Sequence, residues 1–555
     1  MDKDGIYGMI ISSFSFYMIS IAINTYCDNY LMQNSLRSSH YGNGEKMYST
    51  VQTAILDGIK TMPITVEVDI SEGMPMFDMV GNLAPEVREA RDRVRTALHN
   101  CGIILPPKRI TLNLSPGNVR KTGTLFDLPI AVALLLSMGL VQEEYCKNRV
   151  FVGELSLMGQ ILPVAGVLPI VCDGVDSGLE EFIVPAKNQK EASLAQGAIC
   201  YGFSHLGDLI AFLNGTPYRE ETGEEEKEKN RSLELDFAEV NGQTFLKRAC
   251  EVAVSGMHNM LMIGPPGTGK TMVSERIPTI MPALTREEQL ELSKIYSVCG
   301  LLTEDGHLIE SRPFRSPHHT VTRTALTGGG TIPKPGEISL SHEGVLFLDE
   351  LTEFQKSTLE VLRQPLEEHE INLVRLNGRI RYPANFLLLA AMNPCNCGYY
   401  PDMQKCRCTP QSRKRYFQRI SQPLIDRIDI CVEAPPLTYG ELTGRSVNEA
   451  SSTIRARVER CQKIQLERYE KEPFHHNSEI PASKMKIYCA LGEKQQKYME
   501  NIYESMALTG RTYHKILRVA RTLADMDGEE MIRLEHLSEA ICYRSINEKY
   551  WGREE

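Results

Sequence analysis

The sequence predicts an α/β protein: two successive α/β domains followed by an all-helical C-terminal part. Three observations carry that expectation. Residues 64–70 and 109–114 alternate apolar and polar side chains, the period of a half-buried strand. Residues 260–263 are uniformly apolar and pass through a glycine-rich turn into a helical opening at 272–276, a strand–loop–helix order. After about Leu437 the apolar residues fall at helical spacing, as in Ile454, Val458 and Cys461, and again in Ile516, Val519 and Leu523.

At 555 residues the chain has room for roughly three or four domains. Residues 1–46 stand apart. The stretch 8–23 is apolar but holds Ser12, Ser13, Ser15 and Ser20, and Lys3 lies between Asp2 and Asp4 instead of in a basic leader. It is short for a membrane span and poor as a secretion signal. We read 1–46 as a non-native or disordered extension, with a membrane anchor as the alternative.

Residues 47–214 form the first α/β domain. Pro85 opens a helix with Val87, Val94, Ala97 and Leu98 on one face, ending before Gly102. Residues 127–138 read as a buried helix, and 150–152 and 182–184 as short strands. Residues 215–235 are dominated by charge and cannot bury a core, so they read as a solvated linker, a charged helical surface being the alternative. The second α/β domain covers 236–436 and includes Thr285-Arg286-Glu287-Glu288, a capping box before an amphipathic helix. Residues 437–555 form the helical part.

The turn after the 260–263 strand is Gly264-Pro265-Pro266-Gly267-Thr268-Gly269-Lys270-Thr271. This is a phosphate-binding loop in its required context. The glycines let backbone N–H groups close around a polyphosphate, and the helix N-terminus adds a dipole favourable to negative charge. Lys270 can reach the β/γ-phosphates and Thr271 can ligate Mg²⁺, so the loop points to ATP and Mg²⁺ as cofactors. About eighty residues on, Gly344-Val345-Leu346-Phe347-Leu348-Asp349-Glu350 reads as a strand buried on both faces with two carboxylates at its tip. Asp349 suits the metal and Glu350 the attacking water, the division of labour that phosphoryl transfer needs. The apolar run 386–392 ends in Asn393, which either bridges Glu350 and the γ-phosphate or is a turn residue before Pro394. Arg427, between Asp426 and Asp429, suits an arginine finger aimed at a neighbour's γ-phosphate or an internal Arg–Asp pair. Arg511, on the helical part, is placed to sense the γ-phosphate.

Cys395, Cys397, Cys406 and Cys408 form a C-x-C…C-x-C set with eight residues between the pairs. Four such thiolates can close a tetrahedral Zn²⁺ site; free thiols and a redox disulfide are the alternatives. Fifteen cysteines in a chain of this length do not make a small disulfide scaffold, and beside an NTP-binding loop they indicate a reducing cytoplasm. The net charge of −10 excludes a protein that binds polyanions over its whole surface, so any nucleic-acid surface must be local. The local candidate is Lys405, Arg407, Arg413, Lys414, Arg415 and Arg419, with Tyr399, Tyr400, Tyr416 and Phe417 interleaved for base stacking. A basic subunit-interface patch is the alternative. His318-His319 suits either a ring pore or a packed loop.

These residues together resemble the magnesium-chelatase-like AAA+ ATPases of the YifB/ComM type, over roughly Met47 to the C-terminus. The most specific marks are Arg312-Pro313-Phe314-Arg315-Ser316-Pro317-His318-His319-Thr320, Gly328-Gly329-Gly330 and Pro335-Gly336-Glu337-Ile338-Ser339-Leu340-Ser341-His342. Asn393-Pro394-Cys395 and Leu517-Arg518-Val519-Ala520-Arg521-Thr522 also fit. The resemblance implies an AAA+ P-loop core with a C-terminal helical lid and a hexameric ring of copies of this chain. It also implies DNA as partner and no membrane, with branch migration during recombination of incoming DNA in natural transformation as the task. An ATP-driven protein remodeller and a chelatase-like motor subunit are the alternatives. The N-terminal domain resembles the Lon-type protease fold (S5 domain 2-like), through residues 153–163. Phe126 and Asp127 fall near the position of that family's serine, and the segment Val167-Leu168-Pro169 lacks its lysine. A Ser–Lys dyad is therefore not expected, and the domain reads as non-proteolytic.

Overall fold

A computed structural model describes residues 47–220, 235–302, 306–330, 333–375, 378–443 and 448–551. The expectations for residues 1–46 and for most of the charged linker lie outside the described residues. The described residues form two compact units, the first of residues 47–55 and 62–220 and the second of residues 56–61 and 235–551.

The first unit is built on a seven-stranded mixed sheet. Its strands are β1 (Met47–Asp57), β2 (Lys60–Ser71), β3 (Met76–Val80), β4 (Arg109–Ser115), β5 (Arg149–Phe151), β6 (Glu181–Pro185) and β7 (Ile199–Phe203). Their spatial order is β7-β6-β5-β1-β2-β4-β3. The alternating residues 64–70 lie in β2, where Ile64, Val66, Val68 and Ile70 are buried. β2 pairs antiparallel with β4, setting Val68 opposite Leu112. Helix α1 (Ala90–Asn100) buries Val94, Ala97 and Leu98, following a turn that opens at Pro85 and buries Val87. Helix α2 (Asp127–Ser137) is apolar on nearly every side and almost wholly buried, as its composition demands. Strand β1 has no sequence signature, because Ser49, Thr50, Gln52 and Thr53 interrupt its apolar residues. Asp127 is fully buried and accepts hydrogen bonds from Arg93 Nε (2.7 Å) and Nη2 (2.8 Å) and from the Leu155 N–H (3.3 Å). Asp127 is thus held in an ion pair with Arg93.

The second unit is built on a five-stranded sheet. Its strands are β8 (Met260–Ile263), β9 (Phe314–Arg315), β10 (Gly344–Leu348), β11 (Phe386–Met392) and β12 (Ile430–Glu433), in the order β9-β10-β11-β8-β12. Every neighbouring pair is parallel. β8, β10 and β11 are buried along their whole length, which is why they read as unbroken apolar runs. β11 lies between β10 and β8. Because the sheet is parallel, all five C-terminal ends meet at one edge and all N-terminal ends at the other.

Helices α3 (Thr244–Gly256), α4 (Lys270–Ile280) and α5 (Arg286–Cys299) belong to this unit. The Thr285 capping box forms: Thr285 Oγ1 accepts from the Glu288 N–H at 3.2 Å, and Glu288 Oε2 accepts from the Thr285 N–H at 2.8 Å. Helix α6 (Pro410–Phe417) follows the cysteine-rich loop. The helical part consists mainly of α7 (Ser451–Arg468), α8 (Glu493–Ser505), α9 (Gly510–Met526) and α10 (Leu534–Trp551). Ile516, Val519 and Leu523 of α9 share one core with Met260, Val345, Leu387 and Ile430 of the sheet. The helical part is thus packed onto the sheet within one compact unit.

Candidate active site

The phosphate-binding loop leaves the C-terminal end of β8 and enters α4. Gly264 is required by close approach, since a Cβ there would lie 2.3 Å from the Ala434 carbonyl oxygen. Gly269 takes φ +83°, a left-handed conformation open to glycine, and turns the chain into α4. Lys270 folds back so that its Nζ donates to the Gly264 oxygen (2.8 Å) and the Pro265 oxygen (2.9 Å). Burial pulls its pKa down, and Asp349 opposes that pull. Those carbonyls hold the ammonium at the mouth of the loop, where a β- or γ-phosphate can take their place. No motif in the sequence marks Gln243. Its amide donates to the Thr268 oxygen (3.2 Å) and the Pro435 oxygen (2.7 Å), bracing the loop from behind.

Asp349 and Glu350 emerge at the end of β10, beside that loop. Thr271 Oγ1 donates to Asp349 Oδ2 at 2.8 Å, so a hydroxyl and a carboxylate oxygen converge as Mg²⁺ requires. Asp349 Oδ1 accepts from the Glu350 N–H at 2.9 Å. Glu350 sits at φ 51°, and this turn leaves its side chain more than half exposed, free to meet water. Asn393 follows the last residue of β11, half-buried at the same edge. The edge therefore brings together Lys270, Thr271, Asp349, Glu350 and Asn393.

The structure also places His319, whose role the sequence left open. Its Nδ1 lies 3.6 Å from Glu350 Oε2, and the His318 ring packs against it at a tilt of 38°, ring centroids 4.0 Å apart. The flanking arginines are anchors: Arg315 forms a two-pronged pair with Glu337 at 2.7 and 2.8 Å, and Arg312 Nη1 donates to the Glu343 oxygen. Only long-range contact reveals this pairing, because Glu350 lies thirty-one residues downstream.

Arg427 and Arg511 lie elsewhere. Both line a cleft of about 630 Å³ with Asn259, Asn385 and Asp429. Those three residues precede β8, β11 and β12, so the cleft lies at the N-terminal edge of the sheet, a strand length of about 13 Å from the phosphate loop. Arg427 forms an internal pair, but with Glu367 Oε1 (2.5 Å) instead of Asp426 or Asp429, and it also caps the Arg363 and Pro423 carbonyls. Asp429 is already occupied by Lys515 Nζ at 2.9 Å.

Cys395, Cys397, Cys406 and Cys408 converge, with all four Sγ atoms within 4.8 Å of one another. The separations of 3.3 Å (395–397), 3.6 Å (397–406) and 3.8 Å (395–406) approach the roughly 3.8 Å edge of a tetrahedron with 2.3 Å Zn–S bonds. Desolvation acts to raise the Cys397 thiol, but backbone N–H donors and neighbouring thiols bring it to about 6. Desolvation pushes Cys408 up to about 12. Four thiolates this close repel one another, so a cation is needed to hold them together. The donor set fits a structural Zn²⁺.

The basic segment divides. Lys405, Arg407, Lys414 and Arg415 are exposed. Arg413 is half-buried, donating to the Cys408 oxygen at 3.2 Å and lying 4.5 Å over the Tyr400 ring. Base stacking by Tyr416 and Phe417 is corrected: both are buried in the core, on the inner face of α6. Tyr399 alone of the four interleaved aromatics is exposed.

Residues 236–442 match the family described as magnesium chelatase, subunit ChlI; 66–188 match subunit ChlI of Mg-chelatase, and 448–544 its C-terminal region. The chain is 41% identical over 500 residues to YifB of Escherichia coli, covering 90% of this chain and 97% of that protein. It is 41% identical over 496 residues to the competence protein ComM of Haemophilus influenzae, covering 88% and 96%. A weaker likeness, 24% over 137 residues, links 23% of this chain to 15% of a Lon protease of Desulfovibrio desulfuricans. Among the described residues, no helix is long and apolar enough to cross a membrane. With its Lon-like α/β unit, its parallel P-loop sheet and its helical C-terminal part, the chain belongs to the YifB/ComM-type magnesium-chelatase-like AAA+ ATPases.

Proposed function

We propose that the protein is a cytoplasmic ATP hydrolase that works as a hexameric ring on DNA, driving branch migration of incoming DNA during natural transformation. The observation that carries this reading is the division of the catalytic set between opposite edges of one sheet. Lys270, Thr271, Asp349, Glu350 and Asn393 share the C-terminal edge, whereas Arg427 and Arg511 line a cleft at the N-terminal edge. A chain so built cannot bring its own arginines to its own nucleotide. A ring solves this, because the cleft of one copy then faces the phosphate loop of the next.

In that site Lys270 would hold the β/γ-phosphates, and Thr271 and Asp349 would hold Mg²⁺, which when bound would supply neutralisation of developing charge. Glu350 orients the attacking water. Asn393 links it to the γ-phosphate. Arg427 from a neighbouring copy, released from Glu367, meets the transferring group, and Arg511 reports its presence. The four cysteines hold Zn²⁺ as a staple for the loop, with no part in the chemistry. Lys405, Arg407, Lys414 and Arg415, with Arg413 at their base, supply the phosphate contacts to DNA. The likeness to a competence protein supports the DNA substrate. The Arg93–Asp127 pair supports a non-proteolytic first unit.

The test is the ATPase rate with no DNA and with single-stranded, duplex and branched DNA. DNA is expected to bind and to stimulate, most strongly when branched. Absence of both binding and stimulation would overturn the DNA reading and favour a protein remodeller.

A further inference from the structure

Helix α6 has two faces with different tasks. Its outer face presents Lys414 and Arg415 to solvent; its inner face carries Tyr416, which is 4% exposed. The Tyr416 hydroxyl accepts a hydrogen bond from Thr352 Oγ1 at 2.9 Å and donates one to the Asn393 carbonyl oxygen at 3.0 Å. Thr352 lies two residues after Glu350, in the short 3-10 turn Leu351–Glu353 that Glu350 initiates. One phenol oxygen thus joins the turn that bears Glu350 to the turn that bears Asn393. Arg419, just beyond α6, reinforces the join by donating to the Thr352 oxygen (3.3 Å) and to Glu353 Oε1 (2.8 Å). On the other side the cysteine loop touches the phosphate loop itself: a Cβ on Gly398 would lie 2.8 Å from Pro266 Cδ.

We infer that Tyr416 is a positioning residue that couples DNA bound on the outer face of α6 to the placement of Glu350 and Asn393. This rests on the reading of that face as the DNA contact. A buried hydroxyl with both its donor and its acceptor capacity satisfied fixes two backbones relative to one another. Any shift of α6 when phosphates engage Lys414 and Arg415 is therefore passed to both turns at once. Tyr416 touches no substrate. It acts through Thr352 and the Asn393 backbone.

The test compares the full-length chain with Tyr416→Phe, which removes both hydrogen bonds of the phenol, and Thr352→Val, which removes only the bond from Thr352. Three quantities are measured: affinity for a labelled DNA junction, KM for ATP, and kcat with and without DNA. We expect DNA affinity and KM to stay within about twofold and DNA-stimulated kcat to fall about tenfold, the scale of one lost buried hydrogen bond. The double variant should be no worse than Tyr416→Phe alone, because that change already removes the bond Thr352→Val breaks. Full stimulation in Tyr416→Phe would overturn the inference while leaving the DNA reading intact. So would a loss of stimulation that only tracks lost DNA affinity or a lowered melting temperature. A wild type that DNA neither binds nor stimulates would overturn both.

Discussion

The two edges of the five-stranded sheet are built on opposite principles. At the C-terminal edge Glu350 reaches toward solvent, Thr271 meets Asp349, and Lys270, though buried, rests on two carbonyls in place of a carboxylate. At the N-terminal edge they are buried and paired. Asp429 takes Lys515 Nζ at 2.9 Å and lies 3.5 Å from His258 Nδ1, while Lys515 Nζ also donates to the Ile428 oxygen at 3.0 Å. His258 Nε2 meets Thr522 Oγ1 at 2.8 Å, and Thr522 leads through Asn477 to Asp525 and Arg468. Burial acts to raise the Asp429 carboxyl, but Lys515 and His258 outweigh it and hold the group well below the usual carboxylate range. Lys515 and Thr522 belong to α9, the helix whose first turn bears Arg511. The difference teaches that the helical part is fastened to its own sheet at the edge away from the nucleotide. Swinging it over its own ATP would break buried ion pairs, each break costing about 3–5 kcal/mol. In the proposed ring, completion of the site falls to another subunit.

The sharpest way to break this contrast is Arg427→Ala. It leaves the chain's own nucleotide edge untouched, yet kcat for ATP should fall by about 10³-fold or more. Steady-state hydrolysis with unchanged nucleotide binding checks it. Lys515→Met attacks the other edge. It leaves Asp429 buried without its main partner and should lower unfolding free energy by about 3–5 kcal/mol, read from denaturant midpoints. The sign with pH follows from the depressed Asp429 pKa. Its stabilisation is complete above the unfolded value of about 3.9 and is lost as pH falls further, so Asp429→Asn should flatten that acid limb. Glu350→Gln should cost about 10²–10³ in kcat while ATP still binds, as measured by equilibrium dialysis beside turnover. The smallest effect is expected from Lys414→Gln with Arg415→Gln: weaker DNA binding with a salt slope reduced by about 2.

The nucleotide edge was largely legible in the sequence, and the arginine edge was not. Loop, Asp349 and Glu350 follow from local chemistry, since a glycine turn and an apolar strand tipped with acids carry their geometry in consecutive residues. The unbroken apolar run of β11 marks it as a strand buried on both faces, though its place between β10 and β8 is a matter of topology that the run does not encode. By contrast, the edge to which Arg511 belongs depends on how α9 docks, which helical periodicity does not encode. His319 beside Glu350, Gln243 behind the loop and Tyr416 between two turns all arise from contacts far apart in sequence. The interleaved aromatics misled for a physical reason. Basic and aromatic residues alternating over 413–419 suit base stacking, but they equally suit a short amphipathic helix that buries Tyr416 and Phe417 and exposes Lys414 and Arg415.

The central claim is that each ATP site is shared between two copies of the chain. Mixing Lys270→Ala protein, which keeps Arg427, with Arg427→Ala protein, which keeps the phosphate loop, tests it directly. If the site is shared, the mixture contains interfaces that pair an intact loop with an intact arginine, and its ATPase rate should rise well above that of either variant alone. A mixture no faster than the average of its two components would contradict the account.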